Sequence, residues 1–511
     1  MKYKTAKEVK QLLSTMQEVA FIDVREIADY GRGHPFFVSH VPYSILEARI
    51  RLYVPCVQSA VILIDGADGV AERAAHRMQE MGYQHVIILT GGVATWDAAG
   101  YALYEGISAP SKSFGEVVEH ELGTKSITAE DLKARMDAGD DDFIILDGRT
   151  PSQYRDMTIP TSTSCPNAEL SLRYKTMLAR PDQDIIVNCA GRTRSLIGAA
   201  TLDLLGIENN VFALENGTMG WKIAGYDLEY DATRTYPIDI SEDIITEAKQ
   251  KADQLIKNYN IPMVDNDTLA DWRATDNKTT FMFDIRTSEE YEAGHVDGFR
   301  HAPGGQLVQA TDQWFATRNA RIVLFDNCRI RAVMTAIWLK GMGHDAYVLD
   351  EKNITDLVRV GEFEIDVSGI NFIDANDISS DMTIIDIRSS EDYRKSHIEG
   401  AQWSIRPRIN QLKLQGEIVI IASELLTATY VLKELGGDGS ISLSEPEDWI
   451  AADLNLVSTP DFPPDEDRID FLFHTHDRHS GNMDAAREYL RWETGLMDQM
   501  DEQERATLKP L

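Results

Sequence analysis

The sequence holds only four cysteines in 511 residues: Cys56, Cys165, Cys189 and Cys328. So sparse a set cannot brace a disulfide-built scaffold. None forms a C-x-x-C pair, which excludes a zinc ribbon and a thioredoxin-type couple. Positive charge is also short, with 50 Lys and Arg against 83 Asp and Glu, a formal charge of −33. That field repels phosphate backbones and anionic lipid, so neither nucleic acid nor a membrane surface is expected as a partner. Long apolar runs are missing too; none approaches the ~18 residues that span a bilayer. Residues 1–8 are polar and lack the apolar core of a secretion signal, so a cytoplasmic location is expected. What is present is ordinary globular composition, 43% hydrophobic, in a length that suits roughly three to four domains.

An internal repeat is visible. Phe21–Arg25, Ile145–Arg149, Phe283–Arg286 and Ile385–Arg388 share Asp-x-Arg after an apolar run, and a tyrosine follows each aspartate at +7: Tyr30, Tyr154, Tyr291 and Tyr393. The four aspartates are 124, 137 and 102 residues apart, a domain-sized period rather than a solenoid's. In the second copy, Thr128 caps a helix, Phe143–Leu146 and Asp184–Asn188 read as buried strands, and Ser195–Leu205 reads as a helix that Gly206 stops. A third strand, Asn210–Leu214, turns at Asn216-Gly217 into a helix carrying Trp221. Strands alternating with helices at this spacing predict an α/β fold: small parallel sheets covered by helices.

The register holds by arithmetic. Adding 42 to Asp23, Asp147 and Asp284 reaches Asp65, Cys189 and Asp326, each just after an apolar strand; a further 17 reaches Gly82, Gly206 and Gly343. The shorter fourth copy puts Ala422 at that place, 36 residues after Asp386. Gly-x3-Trp follows in the first two copies, at Trp96 and Trp221; the third has lost the tryptophan and the fourth keeps Trp449. The expected division is therefore repeat one over 1–106, repeat two over 122–231, a helical linker over 232–262, repeat three over 263–362, repeat four over 370–458 and a partly helical tail over 459–511. Within the tail, 482–496 reads as a helix whose Tyr489 and Trp492 pack on a neighbour.

Only the second copy carries a nucleophile at the strand-to-helix turn: Cys189-Ala-Gly-Arg-Thr-Arg-Ser195. A loop that closes over a helix start points several backbone N–H groups inward, and the helix dipole adds positive potential. A thiol held there beside Arg192 and Arg194 favours the thiolate, the form that covalent catalysis needs. A cysteine at a strand end is otherwise a small buried hydrophobe, but two arginines near an N-terminal dipole call for an anion.

With the Asp-x-Arg-x4-Tyr units, the Cys189–Arg194 loop and the Gly-x3-Trp segments in view, the chain resembles tandem rhodanese-domain proteins of the thiosulfate sulfurtransferase kind, with four such domains, up to about residue 458. The resemblance implies a sulfurtransferase. Cys189 would be the nucleophile, taking a sulfane sulfur from a small anionic donor such as thiosulfate and passing it to a thiol or cyanide acceptor. Ala190, Gly191, Arg192, Thr193 and Arg194 would bind the substrate, with Arg194 on the donor's oxyanion end, and no cofactor or metal is implied. The copies with Asp65, Asp326 and Ala422 would be inactive, and Asp326 is expected to pair with Arg329 and Arg331. Two other readings stand beside this one: a non-enzymatic scaffold or relay fed persulfide by a partner protein, and a cysteine phosphatase. The phosphatase loop is Cys-x5-Arg, whereas here the arginine is at +5 and Ser195 occupies +6. A homodimer built on the inactive copies is compatible with the copy number.

Smaller features have weaker claims. Asp147–Arg149 reads as a structural pair under the loop. Cys165 reads as packing, with a resolving thiol as the alternative, and Cys56 reads as structural. Cys328 aligns with Gly191, two residues past the nucleophile's place. His474, His476 and His479 form a polar segment whose alternative reading is a metal site. Ser111–Glu116, between the first two copies, lies where it could cover the Cys189 loop.

Overall fold

A computed structural model describes residues 1–274, 278–351, 357–358, 369–473 and 482–511. The apolar runs form strands because β-branched residues fit a pleated sheet covered on both faces. In the second repeat these are Ser126–Ile127, Phe143–Asp147, Thr163–Ser164, Asp184–Asn188 and Val211–Leu214. Numbered as they appear, they lie in the order 1-5-4-2-3 with every neighbouring pair parallel. The same order recurs in three further sheets, whose second strands are Val19–Asp23, Thr280–Asp284 and Thr383–Asp386. The architecture is therefore tandem α/β, with small parallel sheets flanked by helices and a helical C-terminal region.

The repeated motif is a local lock. In every copy the arginine folds back on the aspartate two residues earlier, at 2.5 Å for Arg25–Asp23, 2.7 Å for Arg149–Asp147 and 2.6 Å for both Arg286–Asp284 and Arg388–Asp386. The same guanidinium donates to a carbonyl eight residues on, at Gly33, Met157, Gly294 and Ser396. Three of the tyrosines then donate to carbonyls eight residues beyond themselves, Tyr154 to Ser162 at 2.7 Å, Tyr291 to Phe299 at 3.0 Å and Tyr393 to Ala401 at 2.7 Å. The motif thus ties the second strand to the segment that returns as the third. Trp96, Trp221 and Trp449 fill the cores of their own repeats.

The repeats do not sit as separate beads. Thr317–Arg318 of the third pairs antiparallel with Val19–Ala20 of the first, so the first sheet gains a sixth strand. Arg406 of the fourth donates to Glu47 of the first at 2.8 Å. The linker helix Glu242–Tyr259, capped by Ser241, buries Ala248, Ala252 and Leu255 and packs on both Asn167–Met177 and Ile330–Gly341. It wedges the second repeat against the third. One hydrophobic core runs through those two repeats and takes in Leu496, Met500 and Leu508 of the tail. Among the described residues no helix is long and apolar enough to cross a membrane, and no group of three or more His, Cys, Asp or Glu could hold a metal ion. The segment from His474 to His479 lies outside the described residues.

Candidate active site

Cys189 ends the strand Asp184–Asn188, where the chain turns into the helix Thr193–Leu204. The strand end is anchored from below: Asn188 donates to Asp147 at 2.8 Å, and Asp147 is held by Arg149. The loop is anchored from the side, because the carbonyls of Cys189 and Ala190 accept the N–H groups of Thr218 and Met219 at 2.8 and 3.1 Å. This close approach explains Gly217, whose φ is +54° and where a Cβ would fall 2.2 Å from the Cys189 carbonyl oxygen. Within the loop, Ser195 Oγ donates to the Arg192 carbonyl at 2.8 Å, and the Cys189 thiol donates to Ser195 Oγ at 3.5 Å.

The first and third copies show what such a loop holds. Asp65 accepts the N–H groups of Ala67 and Ala71 at 2.9 and 3.0 Å, and Asp326 accepts those of Cys328 and Arg331 at 3.1 and 2.9 Å. In both, a carboxylate fills a cradle of loop and helix-start N–H groups. By register the counterparts in the second repeat are Gly191, Arg194 and Ser195, and the group at the aspartate's place is the Cys189 thiol.

The two loop arginines part company. Arg194 is buried, donates to the neutral Gln153 at 2.6 Å, and has its backbone carbonyl held by Asn167 at 2.8 Å. Burial pulls its guanidinium below the usual value, with the Cys189 charge the strongest opposing influence, so the two are electrostatic neighbours. Arg192 turns instead to the helix Ala109–Leu122, where it meets Glu116 at 2.8 Å and also Glu119. Burial, with repulsion from Glu493 and Glu119 adding to it against the attraction of Arg192, pushes the Glu116 carboxyl up to about 7. Thr193 Oγ1 donates to Glu493 at 2.9 Å. The segment between the first two copies is therefore a helix lying on the loop.

A second cover was less legible. The tail helix Met483–Thr494, capped by Asn482, lays Ala486, Tyr489 and Glu493 against the second repeat. A Cβ at Gly191 would come within 3.0 Å of Glu493 Oε2 and 3.6 Å of Tyr489. Tyr489 and Trp492 stand out in the sequence as packing residues; Glu493 does not. Its signal is a glutamate in line with Ala486 and Tyr489 at i, i+3, i+7, where an apolar side chain belongs. Beneath these covers Cys189 is 2% exposed.

The other candidates resolve plainly. Cys165 is fully buried in the core shared by repeats two and three, and burial, with Glu169 adding to it, drives its thiol well above the usual range. Cys328 is pushed up to about 12 by burial and then by Asp326. Arg331 pairs with Asp326 as expected, at 2.8 Å, and also with Glu290 and with Glu169 of the second repeat. Arg329 does not pair with the Asp326 side chain. It turns outward to Glu351 at 2.6 Å and to Asp253 of the linker helix, because those carboxylates are brought there by tertiary packing.

The family described as Rhodanese-like domain matches residues 5–99, 128–224 and 265–351. This chain belongs to the rhodanese-like family. Among solved structures it is similar to a thiosulfate sulfurtransferase from Pseudomonas aeruginosa, at 34% identity and a TM-score of 0.91 over 100% of this chain and 99% of that one. A possible tyrosine phosphatase of unknown function from Rhodopseudomonas palustris CGA009 matches at 28% identity over 23% of this chain and 93% of its own, with a TM-score of 0.20. A rhodanese-like domain from Anabaena sp. matches at 29% identity over 23% and 89%, also with a TM-score of 0.20. No curated protein sequence matches the chain. The fourth sheet lies beyond the matched residues, yet it keeps the rhodanese-like strand order and the Asp386–Arg388 lock.

Proposed function

We propose that the protein is a sulfurtransferase that works through a persulfide on Cys189. The observation that carries this reading is the single thiol in a loop whose counterparts in two other copies gather N–H groups around a carboxylate. In the first half-reaction the Cys189 thiolate attacks the outer sulfur of an anionic donor such as thiosulfate. A Cys189 S–S bond forms, the donor's S–S bond breaks, and sulfite leaves with the electron pair. In the second, a thiolate or cyanide attacks the outer persulfide sulfur, and Cys189 departs as thiolate. Arg194 holds the donor's oxyanion end. The N–H groups of Gly191, Arg194 and Ser195 stabilise the persulfide anion in their low-dielectric cradle. Ala190 and Thr193 shape the loop, and Arg192 fixes it to Glu116. The first, third and fourth repeats serve as scaffold.

Intact mass after incubation with thiosulfate tests this: one added sulfur is expected, removed by cyanide. Uptake of that sulfur by Cys189→Ser, with turnover, would sink the assignment. A second reading is a relay that accepts persulfide from a partner protein and turns over small donors negligibly. Sulfur uptake from a cysteine desulfurase's persulfide, with none from thiosulfate, would select it.

A further inference from the structure

Around the Cys189 loop the charges are not balanced evenly. Arg192 is neutralised twice, by Glu116 and Glu119. Lys112, the next nearest cation on the covering helix, lies over the rings of Tyr489 and Trp492, and its charge is felt by the buried Asp312. Arg194 has a neutral side-chain partner, Gln153. Glu493 is a further charged member of this neighbourhood. It is 1% exposed, its Oε1 accepts from Thr193, and its Oε2 has no hydrogen-bond partner among the described residues. That bare oxygen stands beside Gly191, two residues from the nucleophile, 3.0 Å from where a Cβ would fall and next to the Met219 methyl. A buried carboxylate oxygen without a donor is costly to a fold, and its field is screened far less than a surface charge's. Among the described residues, whatever approaches Cys189 past Gly191 meets the Arg194 guanidinium, whose side-chain partner is neutral, and the bare Glu493 oxygen.

We infer that Glu493 is a specificity-determining residue that makes the Cys189 site discriminate against negative charge on the incoming molecule. The favoured sulfane donors then carry one negative charge, as a thiosulfonate or a persulfide anion does, ahead of the thiosulfate dianion. This rests on the sulfurtransferase reading for its substrate class, but the charge discrimination belongs to the site whatever its chemistry. The tail, far from the loop in sequence, thereby sets the donor preference of the second repeat.

The test compares wild type with Glu493→Gln in the full chain; the amide is isosteric and keeps an oxygen for Thr193. With cyanide as a fixed acceptor, kcat/KM for thiosulfate rises about tenfold in the variant, through KM, the size expected for one partly screened charge near a dianion. For methanethiosulfonate, with half the charge, the gain is about threefold. Equal gains for the two donors, or none, overturn the inference. Alkylation of Cys189, read on its peptide by mass spectrometry, gives an independent arm: iodoacetate and iodoacetamide differ by a charge and little else. The variant raises the iodoacetate-to-iodoacetamide rate ratio several-fold. An unchanged ratio overturns the proposal, as does failure of Cys189 to react with either reagent, since a site closed to both selects nothing by charge. If neither donor yields sulfur transfer in wild type, the sulfurtransferase reading fails while the alkylation ratio still decides the role of Glu493.

Discussion

Arg192→Met and Arg194→Gln separate two roles that the sequence places side by side. The side chains of Arg192 and Glu116 are 9% and 6% exposed. Removing one partner of so buried a pair leaves an uncompensated charge and costs about 3–5 kcal/mol. Glu116 can relieve part of that by taking up a proton, since its carboxyl is already pushed up to about 7. The low end is therefore expected, about 3 kcal/mol at pH 8, and less at pH 5.5, where the wild-type pair is itself protonated away. At a slope of about 2 kcal/mol per molar urea, this moves the unfolding midpoint of the second repeat down by about 1.5 M. Arg194→Gln removes a buried cation from a neutral partner, so its midpoint stays within about 0.5 M of wild type. It forfeits a charged hydrogen bond to the donor, about 1.5–3 kcal/mol, and raises the thiosulfate KM by about ten- to a hundredfold. Urea titrations at the two pH values and steady-state kinetics read both. If Arg192→Met keeps the wild-type midpoint and raises KM as Arg194→Gln does, Arg192 is a substrate ligand and the ion-pair argument is wrong.

Two further outcomes can be checked on the same footing. Gly217→Ala drives a methyl into the Cys189 carbonyl at 2.2 Å and forces alanine to φ +54°, so it loses more than about 2 kcal/mol of stability and most activity; a variant with the wild-type urea midpoint would contradict the loop geometry. Stability should also depend on pH. Glu26 and Glu116 are raised to about 7 and Asp312 to about 6, each first by burial. A carboxyl whose folded pKa exceeds its unfolded value stabilises the fold when protonated, and that contribution is lost as pH rises through the folded value. Glu290 runs the other way. Burial would raise it, but Arg331 overcomes this and holds it at about 2, so its contribution is present above about 4.5 and lost in strong acid. Urea midpoints should therefore be highest near pH 5 and fall toward pH 8; a midpoint that climbs from pH 6 to 8 would refute this balance.

The parts of the molecule that the sequence made legible are those fixed by short-range rules. Each Asp-x-Arg pair closes within two residues, so its repetition announces a repeated local lock. Buried strands announce themselves as β-branched runs, and Thr128 announces a helix start by its side-chain cap. The Cys189 loop stood out because a cysteine, a glycine and two arginines follow one another at a strand-to-helix turn. Arg329 was misassigned for the converse reason. Its distance to Asp326 in sequence suggested a pair, but nothing local pointed to Asp253 or Glu351.

By itself, then, the sequence determined the α/β repeat, its register and the one copy that places a cysteine at the strand-to-helix turn, because periodicity and i to i+2 contacts are written within a few residues. Only the tertiary structure decided what surrounds that thiol. Arg192 meets Glu116 from 76 residues away and Thr193 meets Glu493 from 300 residues away. Such pairs leave no local trace, since their partners are brought together by the packing of whole repeats and the tail. Electrostatics in a buried site is set by whichever charges share the same few ångströms, and chain order does not record that.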